Sequence, residues 1–101
     1  MNPGPIAEVT IAPDGRLLVF PTANSYPNIY LEGVEVHWDA GGRYLYSPKP
    51  REWSYLDWFR QIINVAGDLA LSSDTKWTNI PDDLRHEAGA WMRNGNHKRR
   101  F

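Results

Sequence analysis

The sequence predicts an α+β domain, a four-stranded antiparallel sheet of two hairpins followed by two α-helices packed on one face. Three observations predict it. Two strand-like runs are each broken by a glycine-containing turn, at Pro13-Asp14-Gly15 and at Asp39-Ala40-Gly41-Gly42. From Ser54 the apolar spacing changes to the period of an amphipathic helix. A Pro81-Asp82-Asp83 start then opens a second helical segment. With 101 residues the chain has room for one core, so residues 1–101 are expected to form one domain. Residues 1–5 and 96–101 are expected to be flexible ends.

Each element has its own reason. Ile6, Val9 and Ile11 alternate loosely with Glu8 and Thr10, and Pro13-Asp14-Gly15 turns the chain into a returning strand over Arg16–Thr22. Ala23–Asn28 reads as a polar loop. Ile29–Trp38 is the third strand, with Gly33 as a bulge or a point of close approach. Arg43–Ser47 returns it, and Pro48-Lys49-Pro50 ends the sheet. Ser54-x-x-Asp57 is a capping-box-like helix start. The stripe Tyr55, Leu56, Phe59, Ile62, Ile63, Ala66 and Leu69 gives that helix its buried side. Ser72–Asn79 reads as a polar connection holding Trp77. The last helix carries Leu84, Ala88, Trp91 and Met92 on one face and stops at Asn94-Gly95.

Composition removes several classes of function. There is no cysteine, hence no disulfide, thiolate metal site or thiol nucleophile. No apolar run approaches the roughly 20 residues of a membrane span, and Met1–Pro5 has neither the basic start nor the apolar stretch of a secretory signal. A cytoplasmic location is the expectation. The net charge of −1 argues against general nucleic-acid affinity. Charge is uneven: residues 1–42 carry five acids and one base, leaving seven acids and ten bases for the rest.

Candidate chemistry concentrates on the second hairpin. Alternation sends Val34, Val36 and Trp38 to one face and Glu35, His37 and Asp39 to the other. With Trp38 opposite Arg43, His37 would face Tyr44 and Glu35 would face Tyr46. An acid, an imidazole and two phenols on one patch suit polar recognition or proton transfer. Glu35-x-His37-x-Asp39 also has strand spacing for three metal ligands. The plainer reading is a solvated sheet face stabilised by aromatic–polar pairs.

Trp53 and Trp58, with Arg51 nearby, make a second candidate surface, because Trp and Arg are common interface anchors. Against this, Pro48–Trp53 reads as a structural latch. The tail His97, Lys98, Arg99 and Arg100 could grip phosphates, or be a solvated end. No nucleophile–base–orienter set is recognisable, and neither a cofactor nor a metal is expected.

The run from Ile29 to Asp39, continuing through Leu45-Tyr46-Ser47-Pro48-Lys49-Pro50-Arg51-Glu52-Trp53-Ser54 to Trp58-Phe59-Arg60-Gln61-Ile62, resembles short bacterial proteins of the integron gene-cassette type. Some of these are similar to immunity proteins of toxin systems. The resemblance implies an accessory gene product carried on a mobile element. It brings no substrate, cofactor or catalytic position.

Three functions follow as expectations. The first is a non-enzymatic interaction protein, an inhibitor or immunity-type partner or a homodimer, using Tyr44, Tyr46, Arg51, Trp53 and Trp58. The second is a small-ligand binder or minor enzyme on Glu35, His37 and the two tyrosines. The third is a nucleic-acid accessory working through the tail.

Overall fold

The computed structural model describes residues 4–27, 29, 35–48 and 53–93. The described residues form an α+β structure with two helices and a mixed sheet of six short strands. The strands are β1 (Gly4–Ile11), β2 (Leu17–Pro21), β3 (His37–Asp39), β4 (Tyr44–Tyr46), β5 (Leu69–Ala70) and β6 (Lys76–Thr78). The helices are α1 (Tyr55–Ala66) and α2 (Asp82–Arg93). The order across the sheet is β3-β4-β2-β1-β5, with β6 also on β1.

This corrects the four-stranded antiparallel expectation. The two hairpins are present, but β5 and β6 pair parallel to β1 along its other edge. The predicted third strand shrinks to His37–Asp39 among the described residues. Gly33, the Lys49-Pro50 part of the linker and the tail at 96–101 lie outside them, as do residues 1–3.

β1 explains its own irregularity. Ile6 and Val9 are both buried, yet an odd spacing points side chains to opposite faces of a regular strand. A bulge between Ile6 and Glu8 resets the alternation, so that both reach the core. Across the first turn, Gly15 takes φ 94, a left-handed conformation that glycine adopts without strain. The Tyr55 hydroxyl on α1 donates to the Gly15 carbonyl at 2.8 Å and ties the helix to this turn.

α1 starts as its sequence predicts. The Asp57 amide donates to Ser54 Oγ at 3.1 Å, and the Ser54 amide donates to Asp57 Oδ2 at 3.2 Å, a complete capping box. Trp58, Phe59, Ile62 and Ile63 enter the core beside Leu17, Val19 and Leu45. The helix ends earlier than the apolar stripe suggests. Gly67, at φ 80, closes it through a bond from its amide to the Ile63 carbonyl at 2.9 Å. Leu69 is therefore buried from a strand.

β5 and β6 act as one interrupted strand. Gly4 pairs with Leu69 but Glu8 with Lys76, so three extra residues bulge out between the two paired stretches. Thr75 bridges the gap. Its hydroxyl donates to the Ile6 carbonyl at 2.6 Å and accepts from the Ser72 amide at 3.0 Å. A second polar cluster fixes the far side of this junction, where Tyr26 donates to Asp68 Oδ1 at 2.5 Å and Asn24 Nδ2 donates to Asp68 Oδ2 at 2.9 Å. Burial, reinforced by the bond to Asp68, pushes the Tyr26 phenol well above its ordinary pKa.

α2 packs against α1. Ala88 is its buried centre, and Trp91 meets Phe59 edge-on with centroids 6.1 Å apart.

Candidate functional site

The second hairpin brings three of the predicted residues together, in a register two residues away from the expected one. His37 pairs with Tyr46, Trp38 with Leu45, and Asp39 with Tyr44. The loop is the cause. Asp39 keeps its place in the strand while its carboxylate accepts from the Gly42 amide at 2.8 Å and its carbonyl accepts from the Arg43 amide at 2.7 Å. Arg43 takes φ 59 to complete the turn. Its guanidinium donates to the Ala23 carbonyl at 3.0 Å and lies over the Trp38 ring.

A shift of two preserves the alternation, so His37, Tyr44 and Tyr46 still share the face turned away from the helices. His37 stacks on Tyr46 at 5.3 Å, Tyr44 meets Tyr46 at 5.8 Å, and Phe20 meets Tyr44 at 5.1 Å. The Arg16 guanidinium sits over the Tyr46 ring at 5.6 Å and pairs with Asp14 at 3.5 Å. Partial burial, followed by the negative charge of Asp39, raises the Tyr44 phenol above its ordinary pKa. Glu35 precedes the strand, exposed and at φ 64, and is not opposite Tyr46. Among the described residues no three His, Asp or Glu side chains cluster to hold a metal, so the Glu35-x-His37-x-Asp39 run does not form such a group.

The depression on this face has a volume of about 160 Å³. Ligand pockets run from about 300 to 1,000 Å³, so the aromatic patch is a surface rather than a pocket.

Trp53 and Trp58 belong to a different place. Their rings meet at a tilt with centroids 4.7 Å apart, with Trp53 exposed at 44% and Trp58 in the core at 7%. Trp58 Nε1 is buried without a hydrogen-bond partner among the described residues. Arg51 lies outside the described residues.

A further cavity lies where no candidate was predicted. A cleft of about 770 Å³ opens between the β5–β6 segment and α2. Leu71 and Trp77 form one wall. Arg85, His86, Gly89 and Arg93, on one face of α2, form the other. In the sequence, residues 72–79 look like a polar connection and Asp82 like part of a helix start. The missed signal is the spacing of Asp82, Arg85, His86, Gly89 and Arg93, a polar helix face holding a mid-helix glycine that helical propensity disfavours.

Fold and site together define a small α+β protein with a ligand-sized cleft walled on one side by α2. The chain belongs to the Hfx_Cass5 family of integron cassette proteins, whose family model matches residues 4–74. It is similar to a solved structure, Integron Cassette Protein Hfx_Cass5 from the mobile metagenome of the North West Arm Sewage Outfall. The identity is 38%, covering 92% of this chain and 98% of that one, with a TM-score of 0.48. No curated protein matches. The family-model match ends before β6 and α2, so the α2 wall of the cleft lies outside the matched segment. Among the described residues no helix is long and apolar enough to cross a membrane.

Proposed function

We propose that this integron cassette protein is a non-enzymatic binding protein whose ligand occupies the cleft between the β5–β6 segment and α2. The observation that carries the reading is the cleft's size together with its mixed lining. At about 770 Å³ it falls in the range of small-molecule sites, and it combines apolar Trp77, Leu71 and Met92 with convergent polar groups on α2.

A cleft-filling variant tests it. Gly89→Leu puts a side chain into the cleft and improves helical propensity, so the fold should persist. Small molecules that raise the melting temperature of the native chain should lose that effect in Gly89→Leu and keep it in Tyr44→Ala. Retention in Gly89→Leu would refute the reading.

One observation favours a second reading, in which the outer sheet face associates with a second copy of the chain. Phe20, Tyr44 and Tyr46 form a half-exposed aromatic row with Arg16 beside Asp14, so the face offers both charge signs to an identical partner. Light scattering over a concentration series decides it. A dimer lost in Tyr44→Glu supports it. A strict monomer dismisses it and turns the search to a different protein partner, of inhibitor or immunity type.

A further inference from the structure

We infer that the cleft takes a small organic anion, with its carboxylate or phosphate on Arg85 and Arg93 and an apolar, ring-sized body against Trp77 and Met92. The inference rests on the cleft being a ligand site and adds the chemical class of the ligand.

Its starting point is an imbalance of charge. The lining holds two guanidiniums and an imidazole against one carboxylate, Asp82. Asp82 stands in the first turn of α2, where the helix dipole already favours an acid. Among the described residues neither the Arg85 nor the Arg93 guanidinium has an ion-pair or hydrogen-bond partner. A guanidinium presents a planar fork of donors that suits the paired oxygens of a carboxylate or phosphate.

The helix face adds geometry. Arg85, Gly89 and Arg93 are four residues apart and lie one above another along α2. A Cβ on Gly89 would sit 3.2 Å from Arg93 Nη1, so the Arg93 guanidinium folds back over the glycine, toward the Arg85 turn. Glycine in mid-helix is disfavoured relative to alanine. Here its missing side chain leaves room for that guanidinium and keeps the α2 wall of the cleft open. The opposite wall supplies the apolar half of the site. Trp77 is braced from behind by Phe59, with centroids 6.3 Å apart, and presents an indole for a ring to pack on.

The test titrates the full chain with 2-naphthoate, the uncharged 2-naphthamide and inorganic phosphate, following indole N–H resonances by NMR. Trp77→Phe identifies the Trp77 signal. The expected result is that naphthoate moves the Trp77 resonance and binds about ten-fold or more tightly than naphthamide. Phosphate should compete with it weakly. Arg85→Gln with Arg93→Gln should bring naphthoate down to the affinity of naphthamide, with the circular dichroism spectrum unchanged. Equal binding of naphthoate and naphthamide at Trp77 overturns the anion class but leaves the cleft as a ligand site. No shift at Trp77 with any probe overturns both. A short single-stranded DNA that displaces naphthoate and binds more tightly overturns the small-anion reading in favour of a nucleic-acid groove.

Discussion

Thr75→Val removes one hydroxyl from the interrupted parallel edge while keeping the residue's branched shape, volume and burial. Packing is thus nearly constant, and the change isolates two hydrogen bonds. The Ile6 carbonyl loses its 2.6 Å donor and the Ser72 amide loses its 3.0 Å acceptor, at a residue only 8% exposed. The Ile6 carbonyl is buried, so leaving it without its donor should cost about 1–3 kcal/mol, while Ser72 is exposed and its amide can turn to water. That is a large share of the roughly 5–15 kcal/mol holding a domain folded. At about 4–8 °C per kcal/mol for a domain near this size, the melting temperature should fall by about 4–24 °C. Urea unfolding measures the loss directly, as a lower midpoint with an unchanged slope. Thr75→Ser is the control. It keeps the hydroxyl and should lose about 1 kcal/mol for the missing methyl. The reasoning fails if the valine variant loses under about 0.5 kcal/mol, or if serine proves as damaging as valine.

Three further outcomes can be measured in the same way. Ser54→Ala should cost about 1 kcal/mol by urea unfolding, because it removes the acceptor that caps α1. Gly67→Ala should cost about 1–2 kcal/mol although nothing lies within 4 Å of the added Cβ, since the penalty is the left-handed backbone alone. The fold holds the Tyr26 phenol neutral beyond its ordinary pKa, so that contribution is complete below about pH 10 and is lost as pH rises toward the raised folded value. Unfolding midpoints should therefore fall above about pH 10. Tyr26→Phe should flatten most of that slope, and the raised Tyr44 should contribute to what remains.

How far these features were legible depends on whether local or distant residues decide them. The α1 start is encoded within four residues, Ser54 to Asp57, and folds as read. The second hairpin kept its faces because the error in register was even. What sequence could not weigh was Asp39 serving at once as the last strand residue and as the acceptor for the loop amides. β5 and β6 went unread because they are two and three residues long and exist only through pairing with β1, more than sixty positions away. Leu69 misled by fitting the helical stripe, although Gly67 was the available stop signal. The cleft was hidden for the same reason. One wall depends on that long-range pairing, and the polar spacing on α2 reads equally well as a solvated face.

The most direct test of the central claim is chemical-shift mapping on the native full chain with a mixture of small aromatic acids. The account predicts shifts concentrated at Trp77, His86 and Gly89, with His37, Tyr44 and Tyr46 unmoved. Shifts confined to the hairpin residues, with the cleft residues silent, would contradict it.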